Sequence, residues 1–189
     1  MKIKKTKFED VLIVEPYVFN DERGFFYESF SQKTFFDNEL NYVFVQDNQS
    51  HNKFRNTFRG LHYQMQPKSQ TTLVRVINGK ILDIVVDIRK GSPSYGEYIT
   101  QVLSDENNLQ LLIPKGFAHG FLTLTDNVNI LYKMDDYYSP ELDRILNFSD
   151  KNINLNLNTD LDKIIIADKD KNALMLNEIE NNFIYGVNC

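Results

Sequence analysis

Eight polar side chains stand inside otherwise apolar, alternating stretches of this sequence: Glu28, Gln46, Asn48, Arg59, His62, Gln64, His119 and Tyr132. Burying such groups costs free energy unless each finds a hydrogen-bond partner or a ligand. Any one of them alone reads as a satisfied polar group at the rim of a barrel. The set points to a cavity, because a sheet structure wide enough to enclose polar side chains usually encloses a ligand as well. Imidazoles near strand ends also raise the question of a metal. The chain has three histidines, His51, His62 and His119, so a three-imidazole centre would need all of them. His51 lies in what reads as a polar loop segment, Ser50-His51-Asn52-Lys53, where a solvated side chain is the simpler expectation. A single cysteine, Cys189, excludes an internal disulfide framework and a multi-cysteine zinc site.

The elements that must position these residues read as strands. Period-two alternation marks residues 11–15, 24–30, 42–48, 71–77, 80–88, 98–103, 109–113, 121–124 and 128–134. Asn78-Gly79 between two such runs predicts a hairpin with a type I′ turn. Helices are expected over residues 34–40 and 171–179, and residues 152–162, rich in Asn and Asp, read as loop. Many short strands with regular turns give an all-β jelly-roll sandwich. We expect one domain over residues 1–189, with the sandwich core at about 10–150 and a helical appendage at about 160–189. Within strands Gln46 shares a face with Asn48, and His62 with Gln64, whereas Tyr132 points with Ile130 and Met134.

Composition removes several function classes. A formal charge of −5 lacks the clustered cations of a sequence-independent nucleic-acid binder. No run approaches the ~18 apolar residues of a membrane helix, and the charged start Met1–Lys7 is followed by no apolar stretch, unlike a signal peptide. Cytoplasmic location is the expectation.

Seven segments in order carry a resemblance. They are Asp21-Glu22-Arg23-Gly24-Phe25-Phe26, Gln46-Asp47-Asn48-Gln49-Ser50, Arg59-Gly60-Leu61-His62-Tyr63-Gln64, Leu73-Val74-Arg75-Val76, Asp87-Ile88-Arg89-Lys90-Gly91-Ser92-Pro93, Pro114-Lys115-Gly116-Phe117-Ala118-His119-Gly120 and Leu131-Tyr132-Lys133. Together they resemble the dTDP-4-dehydrorhamnose 3,5-epimerases, a cofactor-free family within the cupin superfamily. The resemblance implies a cupin-type jelly roll, a homodimer and a nucleotide-diphospho-sugar substrate, with inversion of the carbons flanking a C4 ketone. A proton α to a ketone leaves only when a positioned base takes it while the growing enolate charge is stabilised. By resemblance His62 is that base, Asp170 orients it, and Tyr132 is the acid on the opposite face of the sugar. Arg23 and Arg59 would pair with the diphosphate. Glu28, Gln46 and Asn48 would bind the nucleotide and neighbouring polar groups, Tyr138 would stack on the base, His119 would bond near the reacting end, and Thr72, Asp143 and Lys169 count among the substrate-binding positions by the family pattern.

The cupin likeness also bears on metal. Pro114-Lys115-Gly116-Phe117-Ala118-His119 resembles the second metal motif of that superfamily, but the first should offer His-x-His and a carboxylate, and here reads His62-Tyr63-Gln64. No metal or other cofactor is expected. Two departures matter. The lysine that the family places at position 72 is Thr72, and the chain has no tryptophan. Arg75 cannot stand in for that lysine, because it faces the other side of the strand. Lys68 is one loop cation that could fill the gap. A 3- or 5-only epimerase, a different nucleotide (CDP or GDP), and a catalytically weakened sugar-nucleotide binding protein therefore stay open as alternatives.

Overall fold

The computed structural model describes residues 1–187, so Cys189 lies outside the described residues. In chain order the strands are β1 (Lys2–Lys5), β2 (Leu12–Glu15), β3 (Phe19–Asp21), β4 (Gly24–Phe26), β5 (Gln46–Asn52), β6 (Phe58–Gln64) and β7 (Thr72–Asn78). They continue as β8 (Lys80–Asp87), β9 (Tyr98–Ser104), β10 (Gln110–Ile113), β11 (Phe117–Thr123), β12 (Val128–Met134) and β13 (Asp143–Ile145). Two short helices, α1 (Gln32–Asp37) and α2 (Asp168–Lys171), complete the set, with single 3-10 turns at Pro140–Leu142 and Leu161–Lys163.

Two sheets face each other. One runs β1-β2-β10-β7-β12-β5 and the other β13-β6-β11-β8-β9, with antiparallel neighbours throughout. Strand β8 shows why the layers form. Ile81 and Val85 point to the space between the sheets, while Ile84 and Val86 point outward. Both sides of β8 are apolar because both are covered. The inner core joins Ile81 and Val85 to Val74, Val76, Leu111 and Ile130 of the facing sheet. The outer face of the five-stranded sheet is covered by C-terminal residues such as Ile153, Leu157, Leu176 and Phe183. Phe35 and Leu40 cover Leu73 and Leu112 on the far side of the other sheet.

The all-β sandwich matches the sequence reading, with four local corrections. Asn78-Gly79 is not a hairpin: β7 and β8 lie in different sheets, and the pair carries the chain across the sandwich. Gly79 has φ +85°, and a Cβ there would meet Thr125 Oγ1 at 2.7 Å and Val128 Cγ2 at 2.9 Å. The type I′ turn is absent as well, because Gly79 alone takes a positive φ and Asn78 still belongs to β7; a turn signal does not say which strand is paired next. Second, no helix spans residues 171–179. A single turn, α2, ends at Asn172, because Asn147 Nδ2 takes the carbonyls of Lys171 (3.2 Å) and Ala173 (3.1 Å). Leu174 then forms an extended bridge with Leu146. Third, His51 is not in a loop. It lies within β5, where Nδ1 meets Asn129 Oδ1 at 3.2 Å. Fourth, the strand expected over residues 24–30 ends at Phe26, and β3 and β4 form a separate two-stranded arm.

Candidate active site

A cavity of about 400 Å³ opens between the sheets, lined by β5, β12 and Thr72 on one wall and by β6 and β11 on the other. Strand β6 departs from regular pleating here. His62 is opposite His119 and Arg59 is opposite Phe121, so three steps on β6 match two on β11. This bulge turns Arg59 and His62 into one cavity although they are an odd number of residues apart. Gly60 makes it possible. Its φ is +123°, and a Cβ would lie 2.6 Å from Gly120 Cα; the two strands touch backbone to backbone at that point.

His62 Nε2 lies 2.9 Å from Asp170 Oδ1, and Asp170 Oδ2 accepts the Gly60 N–H at 3.1 Å. An ionised carboxylate can only accept, so Nε2 carries the ring hydrogen and Nδ1 keeps its lone pair. Nδ1 has no hydrogen-bond partner among the described residues. Asp170 arrives on α2, which is docked against β6 between the Thr57–Ile165 bridge and the Leu146–Leu174 bridge. Burial alone would raise its carboxyl; the hydrogen bond and charge of His62, with the Gly60 N–H, hold it below its ordinary value. A carboxyl lowered by folding lends stability that is in place above its unfolded pKa and is lost as pH falls through the folded value. The pair is thus intact at neutral pH and weakens only in acid. Asp170→Asn is expected to fold but to lose about 10²–10⁴-fold in base-catalysed exchange, as the ring loses its fixed tautomer. Unchanged exchange in D₂O would remove Asp170 from this role.

His119 has a matching carboxylate that sequence reasoning missed. Its Nε2 sits 2.9 and 3.0 Å from the two oxygens of Asp83, which is fully buried. Burial pushes the Asp83 carboxyl up, against the pull of His119. The signal was there: Asp83 is a lone carboxylate in the run Ile81-Leu82-Asp83-Ile84-Val85.

Tyr132 projects from β12 on the wall opposite His62, and its hydroxyl meets Ser50 Oγ at 3.1 Å. Around these groups the cavity gathers Asn48, Arg59, Thr72, His119, Tyr138, Asp143 and Lys169, all expected from the sequence. Gln46 sits beside the rim, donating to Asn48 Oδ1 at 3.0 Å and accepting the Tyr138 N–H at 3.1 Å. Tyr138 donates to Asp143 Oδ2 at 3.3 Å, and the Asp143 charge raises its phenol. Among the described residues Thr72 Oγ1 meets only Met134 Sδ, at 3.5 Å. Lys68 is held by Asp136 at 3.1 Å and does not line the cavity, whereas Lys115 does.

Arg23 and Glu28 are not brought to this cavity. Arg23, next to the β3–β4 arm's turn, pairs with Asp21 at 2.5 Å, and Glu28 accepts from Thr34 at 3.0 Å. Among the described residues no group of three or more His, Cys, Asp or Glu side chains is placed to hold a metal. No helix among them is long and apolar enough to cross a membrane.

The chain is similar in sequence and in fold to known proteins. The family profile of dTDP-4-dehydrorhamnose 3,5-epimerase matches residues 5–178. A relative of that name from Shigella flexneri is 47% identical over 174 residues, covering 92% of this chain and 94% of its own. The crystal structure of dTDP-4-dehydrorhamnose 3,5-epimerase from Bacillus anthracis, with TDP and PPi bound, superposes with a TM-score of 0.88 at 41% identity, covering 92% and 98% of the two chains. A Legionella pneumophila 3,5-epimerase in complex with dTDP-4-keto-L-rhamnose gives 0.89 at 40% identity, covering 95% and 94%. A profile match over most of the chain, relatives above 40% identity and a shared fold lead to one conclusion: this chain belongs to the dTDP-4-dehydrorhamnose 3,5-epimerase family.

Proposed function

We propose that the protein inverts C3 and C5 of dTDP-4-dehydro-6-deoxyglucose to give dTDP-4-dehydro-L-rhamnose, without a cofactor. The observation that carries the reading is the placement of His62 and Tyr132 on facing sheets, across one cavity. Inversion needs a base on one face of the sugar ring and an acid on the other, and two opposed walls supply that arrangement. His62 Nδ1 takes the proton α to the ketone, the electron pair moves onto the C4 oxygen, and Tyr132 returns a proton to the opposite face.

Arg59 and Lys169 supply the positive charge for the diphosphate, and neither forms an ion pair among the described residues. Asn48, Gln46 and Asp143 address the nucleotide, with Tyr138 stacked on the base. The arm carries Arg23, and its Phe19, Phe25 and Phe26 are 68%, 59% and 75% exposed. A homodimer in which this arm packs on a second copy would cover those rings and could bring Arg23 and Glu28 toward the copy's cavity. The enzyme would act in the cytoplasm, and neither nucleic acid nor membrane is a partner.

Incubation with the 4-keto sugar in D₂O is the direct test. Deuterium at C3 and C5 of an inverted product, with no metal added, is the expected result; no incorporation would leave a binding protein as the better reading. Thr72 bears on the extent of catalysis. Losing one oxyanion donor costs about 10²–10³ in rate, and a neutral hydroxyl recovers only part of this. Thr72→Lys is therefore expected to raise turnover of this substrate, about tenfold at most. If it slows turnover, another cation already holds the C4 oxygen.

A further inference from the structure

The face of β5 toward the cavity carries Asn48, Ser50 and Asn52 at alternate positions. Ser50 and Asn52 have no part in the chemistry so far. Asn52 is 2% exposed. Its Oδ1 accepts from Arg59 Nε at 2.8 Å, and its Nδ2 donates to Ser50 Oγ at 3.3 Å and toward the Val128 carbonyl at 3.5 Å. Ser50 Oγ in turn lies 3.1 Å from the Tyr132 hydroxyl. The four groups form one line: Arg59, Asn52, Ser50, Tyr132.

Chemistry fixes the direction of this line. A guanidinium has no acceptor, so the amide oxygen of Asn52 must face Arg59. A carbonyl has no donor, so the amide nitrogen must face Val128 and Ser50. Ser50 therefore receives a hydrogen from Asn52, and its own hydrogen is free to go to the Tyr132 oxygen. With that oxygen already accepting, the Tyr132 hydrogen points away from Ser50.

We propose that Ser50 and Asn52 are positioning residues, a one-way donor chain from Arg59 that keeps the Tyr132 proton aimed at the substrate and steadies the phenolate left after transfer. The inference rests on the epimerase reading and deepens it. In the step itself the Tyr132 O–H breaks and the proton goes to the enolate carbon. The enolate electrons form the new C–H bond as the C4 carbonyl returns, and the O–H pair stays on the phenolate oxygen. Ser50 then donates to an anion, a hydrogen bond stronger than the neutral one before transfer. His62 holds the proton it removed until solvent takes it, and solvent restores the phenol. The phenol needs such help: burial pushes it up and Asp83 adds to this, while Ser50 and the Arg59 charge pull it back. The chain also ties the acid to the cation that meets the diphosphate, so the acid is set in the same motion that seats the substrate's charged end.

The test uses the full chain with dTDP-4-dehydro-6-deoxyglucose in D₂O, and reads the share of incorporated deuterium that is found in inverted product. Asn52→Asp keeps the shape and the acceptor for Arg59 but replaces the amide donor by an acceptor. Ser50 would then donate to the new carboxylate, and Tyr132 would turn its hydrogen to Ser50. That share is expected to fall about 10- to 100-fold, the range for a lost hydrogen bond to a charged group. Ser50→Ala should fall similarly, and Ser50→Thr, which keeps the hydroxyl, should restore it. A merely structural role would slow all incorporation together and leave the share unchanged. A wild-type share in both Asn52→Asp and Ser50→Ala would overturn the relay while leaving the epimerase reading intact. No deuterium incorporation by the wild-type protein would instead sink that reading, and the relay with it.

Discussion

His62→Ala is expected to lose solvent exchange at the sugar by about 10²–10⁴-fold, the range for removal of a general base. His119 stands opposite His62 on β11 with a carboxylate of its own, the buried Asp83, so exchange that survives the substitution is ascribed to that second pair. His51, on the edge strand β5, points to Asn129 of β12. The substitution also removes a partner from Asp170, whose side chain is 3% exposed. One buried acceptor left short costs about 1–3 kcal/mol, so the melting temperature should be measured alongside. Exchange at a near wild-type rate in a folded variant would remove His62 as the base.

Tyr132→Phe separates the acid from the base. The ring volume is kept and the His62–Asp170 pair is untouched, so deuterium should still enter the substrate by removal and return on the His62 face. Inverted product should fall by about 10²-fold or more. The measurement is the stereochemistry of the labelled sugar by NMR. If exchange and inversion fell in parallel, Tyr132 would not be a dedicated donor on the opposite face.

Much of the sandwich was legible because a strand that buries one face writes it in period two, and a strand that buries both writes a short apolar run. Residues 128–134 and the stretch from 80 to 87 are clear cases, and β12 and β8 lie there. What was not legible is non-local. An Asn-Gly pair states a turn, not the sheet that the next strand joins. Simple parity places Arg59 and His62 on opposite faces; only the bulge at Gly60, which depends on contact with Gly120, puts them in one cavity. Asp170 could be assigned to His62 by resemblance alone, since 108 residues separate them and no local pattern connects them. Arg23 and Glu28 were expected at the site and are held elsewhere, because the arm that carries Arg23 pairs with itself rather than with either main sheet, and Glu28 follows the arm and is bonded to Thr34 of α1. Ser50 and Asn52 alternate with Asn48 along β5, and that polar row was the available hint.

The crossing at Asn78-Gly79 joins the two walls of the cavity as a spine joins two covers. Thr72 lies toward the open edge, while Val76 and Ile81 lie next to the spine, wedged between the covers. Sheets packed face to face stand about 10 Å apart, and the side chains between them set that spacing. His62 is fixed to one cover and Tyr132 to the other, so the gap across which the proton chemistry works is a thickness set by the wedge. A methylene gained or lost at Ile81 or Val85, remote from any sugar, tilts one cover against the other and is felt at the open edge as a change in reach. In such a lever the apolar core is also a spacer, and catalytic tuning can enter through residues that never meet the substrate.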